Sequence, residues 1–502
     1  METLTHIING FAVCMTPINL WYTFLGVFMG TIIGVLPGIG PSAGIALLIP
    51  VTFGMNPTSA LIMMCGIYYG TKYGGSTTAI LIRTPGEAAS VMTSIDGYEM
   101  AKKGRAGAAL AVSAIGSFIA GSLGVVALTI FAVPLSSMAL KFGPAEYFTL
   151  MMFAMTAVST LTGKSAAKGL MSTILGLMIA TIGIDLQSGQ ARFTMGVAEF
   201  QDGVGFVVVV VGLFAVAEVF RGLEDIYKGT GAATMKITGK LWLTKEEWMR
   251  SIGPIWRGGV IGFIIGVLPG AGGTIASIMS YTTEKRLSKN PGEFGKGAIE
   301  GVAGPESANN SDTAGAMVPL LTLGIPGGGA TAVLMGAFIM YGIQPGPLLF
   351  QNRPDLVWGL IDSMYIGNVM LLILNLPLIG IFVQLLRIPS GILYPLIIAI
   401  SVIGAYAING SMTDLYLILI FGVVGYVFDK VDIPVAPLVL SLVLGGMMEQ
   451  SFRQAMTISG GNPKIFFGSG ITITLMVMSV VSIMMPFILP MMKKYKEEGK
   501  DE

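Results

Sequence analysis

Histidine occurs once, as His6, and cysteine twice, as Cys14 and Cys65. One histidine excludes a Ser-His-Asp relay and histidine-rich metal sites. Two cysteines in apolar surroundings give neither a disulfide framework nor a metal cluster. Charge is also scarce: Asp, Glu, Lys and Arg make up 11% of the 502 residues, against about 25% in a soluble globular chain. With 53% of the residues hydrophobic, most of the chain must sit in lipid. The net charge of +1 carries no nucleic-acid signature. The first residues lack a basic stretch followed by a small-residue cleavage site, so no cleaved signal peptide is expected. Composition alone leaves room for an aspartyl intramembrane enzyme, but no catalytic set is visible, and the chain is read as a non-enzyme without a cofactor.

Glycine and proline are plentiful, at 69 and 25 residues, and they fall in a pattern. Gly34-Val35-Leu36-Pro37-Gly38-Ile39-Gly40 ends one apolar run; Gly266-Val267-Leu268-Pro269-Gly270-Ala271-Gly272 ends another. Proline removes a backbone donor and clashes with the preceding turn. Irregular backbone at membrane depth is tolerated only where protein buries it or a wet cavity adjoins it. Matched interruptions in two halves of a polytopic chain point to a transporter's binding site.

Apolar spans are expected near Ile18–Leu36, Ala108–Val133, Tyr147–Leu161, Gly169–Ile184 and Val204–Phe220 in the first half. In the second they are expected near Gly258–Leu268, Ala330–Tyr341, Val357–Leu386, Ile392–Ala407, Leu415–Phe428, Val435–Met448 and Ile471–Leu489. Ala43–Phe53 is too short to span alone; Thr58–Tyr69 and Thr77–Ile82, also short, read as half-helices or a re-entrant hairpin, and Ile275–Tyr281 and Met317–Leu323 are further apolar runs. Thr84-Pro85-Gly86 parallels Ile325-Pro326-Gly327, and Thr162-Gly163-Lys164-Ser165 parallels Asn409-Gly410-Ser411-Met412. The expected fold is an all-α polytopic membrane protein of two inverted repeats with broken helices, working as an elevator-like carrier. Residues 1–17 lead into repeat one at 18–221; a basic cytoplasmic linker covers 222–257, repeat two 258–453, and an extra helix with a basic tail 454–502. Inversion is inferred from loop charge: 1–17 has no Lys or Arg, and the basic loop Lys102–Arg105 corresponds to Gly342–Pro354, which has only Arg353. The side of the charged segment Glu284–Glu300 stays open.

Half-helix N-termini suit carboxylates. The candidate substrate residues are accordingly Gly38, Gly40, Ser42, Thr77, Thr78, Arg83, Thr84, Pro85, Gly86, Gly270, Gly272, Pro326 and Gly327. Arg83 could fork onto a carboxylate or pair with Glu87 or Asp312; Lys72 has the same two readings. Asn309, Asn310 and Asp312 supply hard oxygen donors for a cation such as Na⁺, or cap a helix opening at Thr313.

Four long stretches resemble the TctA family, the large membrane subunit of tripartite tricarboxylate transporters. They are Gly34–Phe53 (GVLPGIGPSAGIALLIPVTF), Gly66–Ser90 (GIYYGTKYGGSTTAILIRTPGEAAS), Asp96–Leu110 (DGYEMAKKGRAGAAL) and Gly301–Gly327 (GVAGPESANNSDTAGAMVPLLTLGIPG). The resemblance implies a multi-pass bacterial inner-membrane carrier. It implies partnership with a small TctB-type membrane subunit and a periplasmic TctC-type binding protein, and uptake of citrate or related carboxylates driven by Na⁺ or H⁺. The family's glycine-rich motifs map onto Gly38, Gly40, Pro85, Gly86, Asn309, Asn310, Pro326 and Gly327. Arg83, where an amide is more usual, and Asp312, where a small residue is, depart from that pattern and leave the substrate open. The competing readings are a stand-alone carboxylate symporter, an intramembrane enzyme and a channel.

Overall fold

In lipid every backbone N–H and C=O must find a partner within the chain, and a helix satisfies them locally. The computed structural model, which describes residues 2–36, 38–162, 165–185, 188–228, 239–385 and 390–498, is accordingly almost wholly helical. Expectations at Pro37, Gly163, Lys164, Lys236 and Leu386 fall outside those residues. The chain runs through α1 (Glu2–Cys14), α2 (Pro17–Val35), α3 (Gly40–Leu48), α4 (Pro57–Ile82), α5 (Val91–Lys102), α6 (Ala106–Ala139), α7 (Pro144–Leu161) and α8 (Ala166–Ala180). A short antiparallel ribbon follows, β1 (Gly183–Ile184) with β2 (Ala191–Arg192). Then come α9 (Phe206–Val210), a π-helical stretch at Val211–Val216, α10 (Ala217–Lys228), α11 (Lys245–Val267), α12 (Gly272–Leu287), α13 (Glu300–Leu323) and α14 (Gly329–Met340). The rest are α15 (Leu349–Asn352), α16 (Pro354–Asn375), α17 (Ile379–Leu385), α18 (Ser390–Asn409), α19 (Met412–Lys430), α20 (Ala436–Ile458) and α21 (Gly470–Glu498).

Five stretches among the described residues are long and apolar enough to cross a membrane: Pro17–Val35, Ala106–Ala139, Phe206–Lys228, Pro354–Asn375 and Met412–Lys430. Large apolar side chains stand exposed on them, such as Ile130 and Phe131 on α6 and Leu419 and Val423 on α19. Such faces are suited to acyl chains rather than water.

Three expectations are corrected. The half-helices Thr58–Tyr69 and Thr77–Ile82 are parts of one unbroken helix, α4, of 26 residues. Nearly all of α4 is buried, from Ser59 through Leu81, so its polar residues meet protein rather than lipid and need not interrupt it. Likewise Met317–Leu323 is the end of the 24-residue α13, which passes through Pro305 and Pro319 without breaking. Asn309–Thr313 therefore lies mid-helix, and the helix-opening role at Thr313 is ruled out. The single span expected at Val357–Leu386 divides into α16 and α17 around Leu376.

The chain forms two compact units. One comprises Met138–Phe206 with Val427–Glu502; in it α8 and α7 pack on α20, and α7 on α21. There Asp185 receives Arg453 at 2.7 Å and Arg192 at 3.4 Å.

The other unit, Met1–Ser137 with Val207–Tyr426, holds both glycine-proline breaks. Its core is built from two closely packed helix pairs. On α2, Gly26, Gly30 and Gly34 lie against the carbonyls of Met63, Ile67 and Thr71 on α4. On α11, Gly258, Gly262 and Gly266 lie in the same way against the carbonyls of Gly304, Ala308 and Asp312 on α13. Small residues four apart let backbones approach closely where no water drives helices together. The offset from Gly34 to Gly266 holds along the whole row, so the pair α11 and α13 repeats the packing of the pair α2 and α4. They also match at the helix ends: Arg83 closes α4 with φ 57°, and Gly324 closes α13 with φ 70°.

Candidate functional site

The breaks are conserved in geometry between the halves. Gly38 and Gly40 have φ of 86° and 59°, and Gly270 and Gly272 have 84° and 61°. Those are left-handed conformations that a side chain strains. Each break is tied to the Pro-Gly turn of its own half. Gly86 is pressed onto the Gly34 carbonyl, and the N–H of Gly270 donates to the Gly327 carbonyl at 2.8 Å.

Between them lies a buried charged cluster. Lys72, mid-way along α4, donates from Nζ to Asn309 Oδ1 at 2.8 Å. Its ammonium stands 3.5 Å from Glu87 Oε2 and 3.7 Å from Asp312 Oδ2. Asn309 Nδ2 donates to Glu87 Oε1 at 2.6 Å. Asn309 and Asp312 are three apart on α13 and so share a face. All four side chains are at most 7% exposed. Both breaks touch the cluster. A Cβ on Gly40 would lie 3.9 Å from the Glu87 Cβ, and one on Gly273 would lie 2.6 Å from both Asn309 Oδ1 and Lys72 Nζ. Two carboxylates thus face one ammonium in a site shielded from water, where an unpaired charge is costly. Among the described residues, Asp312 Oδ1 has no hydrogen-bond partner.

The structure distributes the sequence-predicted residues as follows. Gly38, Gly40 and Ser42 stand at the first break, with Glu218 Oε1 beside Gly38. Thr78 is buried against the Gly86 turn, where Thr84 and Pro85 also lie; Thr77 is buried in α4. Gly270, Gly272, Pro326 and Gly327 gather at the second break. Asn309 and Asp312 enter the cluster. Asn310 turns away, donating to Ser117 Oγ on α6 at 2.7 Å. Arg83 also stays out: it is exposed, with its guanidinium 5.6 Å from the Tyr98 ring centroid. The partners the sequence offered to it, Glu87 and Asp312, are held by Lys72.

Glu87 as a cluster member, Gly273, and the buried Glu306 that accepts from Thr93 were not singled out in advance. Helical spacing would have separated the 309/312 face from the 306/310 face, had Asn309–Thr313 been read as mid-helix. Asp96 was missed as well. It is fully buried and accepts from the backbone of Gly295, Gly297 and Ala298 and from Tyr281.

Long apolar helices around a buried charged cluster beside two helix breaks define a multi-pass membrane protein. The chain belongs to the family described as "Tripartite tricarboxylate transporter TctA family", which it matches over residues 20–440. It is 47% identical over 498 residues to an "Uncharacterized 52.8 kDa protein in TAR-I ttuC' 3'region" of Agrobacterium vitis, covering 99% of each chain. It is 47% identical over 237 residues to an "Uncharacterized protein in TAR-II ttuC' 3'region" of the same organism, covering 47% of this chain and 98% of that one. No solved structure matches.

Proposed function

We propose that the chain is the large membrane subunit of a cation-coupled uptake system for tricarboxylates such as citrate, or for related carboxylates. In this reading it sits in a bacterial inner membrane beside a TctB-type subunit and receives substrate from a TctC-type periplasmic binding protein. The observation that carries the reading is the convergence of both helix breaks on one buried cluster of opposite charges. An anion and a cation crossing together need that pairing, because unlike charges attract strongly where water is excluded.

Inverted repeats are part of this reading and rest on the loop-charge difference between Lys102–Arg105 and Gly342–Pro354. Lys72 meets Asp312 and Asn309, Thr93 meets Glu306, and Asp96 meets Gly295–Ala298. Position rises along α5 as it falls toward the start of α13, so α5 and α13 run in opposite directions. The segment 284–300 joins the loop after α5 and the start of α11, through Lys103 to the Lys296 carbonyl, Arg250 to Glu293 and Glu300, and Arg105 to Glu247. These contacts group it with the basic loop and linker, and in the proposed topology all of them face the cytoplasm. In an elevator-like cycle the duplicated core would carry the cluster past the longer spans, Ala106–Ala139 and Pro354–Asn375.

Reconstitution with both partner proteins and a panel of labelled carboxylates tests the reading. Accumulation against a gradient that collapses with the Na⁺ or proton gradient is expected. A binding protein that holds a carboxylate, with no accumulation by the reconstituted complex, would overturn it.

A further inference from the structure

Lys72 stands where a metal cation would be expected. Glu87 Oε2, from the turn after Gly86, and Asp312 Oδ2 and Asn309 Oδ1, both from α13, surround its Nζ, and such hard oxygens are the donors Na⁺ takes. The ammonium is held unevenly. Its one short bond is to the neutral amide; the carboxylates, at 3.5 and 3.7 Å, lie beyond the roughly 2.7–2.9 Å of a tight charge-assisted bond. An ammonium has three protons to give, so Lys72 keeps capacity for a further anionic acceptor. The first turn of α12 borders it, since only the absence of a side chain at Gly273 lets that turn approach. A helix N-terminus favours an anion through its free N–H groups and its dipole. The buried, unpartnered Asp312 Oδ1 marks an acceptor the lysine does not fill.

We propose that Lys72 is a tethered cation that holds the coupling-ion position in the substrate-free carrier and is exchanged for the coupling ion when substrate binds. The inference rests on the transport reading above. A substrate carboxylate docks at the N-terminus of α12, and the Lys72 ammonium turns to it. Glu87, Asp312 and Asn309 are then left with two negative charges and no counter-ion. A monovalent cation, Na⁺ in the oxygen cage or a proton on one carboxylate, takes the vacated place. Lysine bound to its own carboxylates opposes the anion, and a cation cannot enter while lysine fills the cage. Each ligand therefore favours the other through one side chain, with equal and reciprocal coupling.

The test is cation binding to the purified protein with and without carboxylate, read as ²²Na⁺ binding in one arm and as proton uptake from weakly buffered solution in the other. In the wild type, carboxylate should tighten cation binding by about tenfold or more. In Lys72→Gln the cage is empty from the start, so cation binding should become independent of carboxylate while uptake falls by a similar factor. A Lys72→Gln protein whose cation binding still requires carboxylate would overturn the exchange and leave the lysine as a bolt between α4 and α13. If that variant does not fold, Lys72→Gln with Asp312→Asn removes both members of the pair; its residual uptake should no longer follow the cation gradient. Wild-type gradient dependence in the double variant would equally overturn the proposal. Should the wild type carry no carboxylate at all, the transport reading fails first, and the two failures stay distinct.

Discussion

Asn309 donates from Nδ2 to Glu87 Oε1 at 2.6 Å while its Oδ1 accepts from Lys72 at 2.8 Å. One neutral amide thus spaces an ammonium and a carboxylate that would otherwise close on each other, and keeps the pair divisible. Its neighbour Asn310 faces Ser117 and has no part in this.

That division gives the first prediction. Hydrogen bonds to charged groups contribute about 1.5–3 kcal/mol each. Asn309→Ala should raise the half-saturating coupling-cation concentration by about tenfold or more. Asn310→Ala should leave it unchanged and lower the thermal midpoint instead. Equal shifts of cation dependence in both variants would contradict the placement of the cluster on the Asn309 face.

Gly273 supplies the second. A methyl group there would lie 2.6 Å from both the Lys72 ammonium and the Asn309 amide oxygen. Gly273→Ala should therefore depress uptake by about tenfold or more while the protein still reaches the membrane. Gly292→Ala, where nothing lies within 4 Å, is the matched control and should transport normally.

Arg83 separates backbone from charge. Its left-handed conformation, φ 57°, costs a side-chain-bearing residue roughly 1–2 kcal/mol. Arg83→Gly should keep or raise the thermal midpoint even as it loses the contact with Tyr98. If the exposed guanidinium draws anions toward the site, the same variant raises the KM for carboxylate with kcat unchanged. That effect should shrink as salt screens it. A KM that rises equally at all ionic strengths would argue against steering.

Glu247 yields a pH dependence at the start of α11, outside the spanning segments. Its Oε2 accepts the Thr244 N–H at 2.7 Å and its Oε1 accepts from Arg105 at 2.5 Å. Burial pushes the carboxyl up, yet these donors outweigh it and hold the group below its ordinary value. A lowered carboxylate contributes stability above its unfolded value, about 4.3, and loses it as pH falls through the folded one. Glu247→Gln should thus lower the thermal midpoint at neutral pH. The gap to wild type should close in acid below about pH 4. A gap that widens there would reverse the assignment.

The glycine-proline breaks were legible in the sequence because proline and left-handed glycine act through their own backbone. The pairing of Thr84-Pro85-Gly86 with Ile325-Pro326-Gly327 was legible for the same reason. The continuity of α4 and α13 was not. Lys72 and Asp312 interrupt a hydrophobic run on paper, and only burial between two other helices turns them from a break into a binding surface. Glu87 was weighed as a partner for Arg83, four residues away, when its partners come from the middle of α4 and from α13. Chain separation hid that contact, and no local pattern encodes it.

The glycine rows have a mechanical consequence. A helix seated glycine-to-carbonyl on its partner over three successive turns cannot roll or slide alone without driving backbone into backbone. α2 with α4, and α11 with α13, therefore behave as two stiff beams. Any change of exposure at the site must come from one beam shifting against the other or from rotation at the glycine-proline joints. The ions at Lys72 and Asp312 bridge the seam between those beams, so whatever loosens that pair also releases the joint.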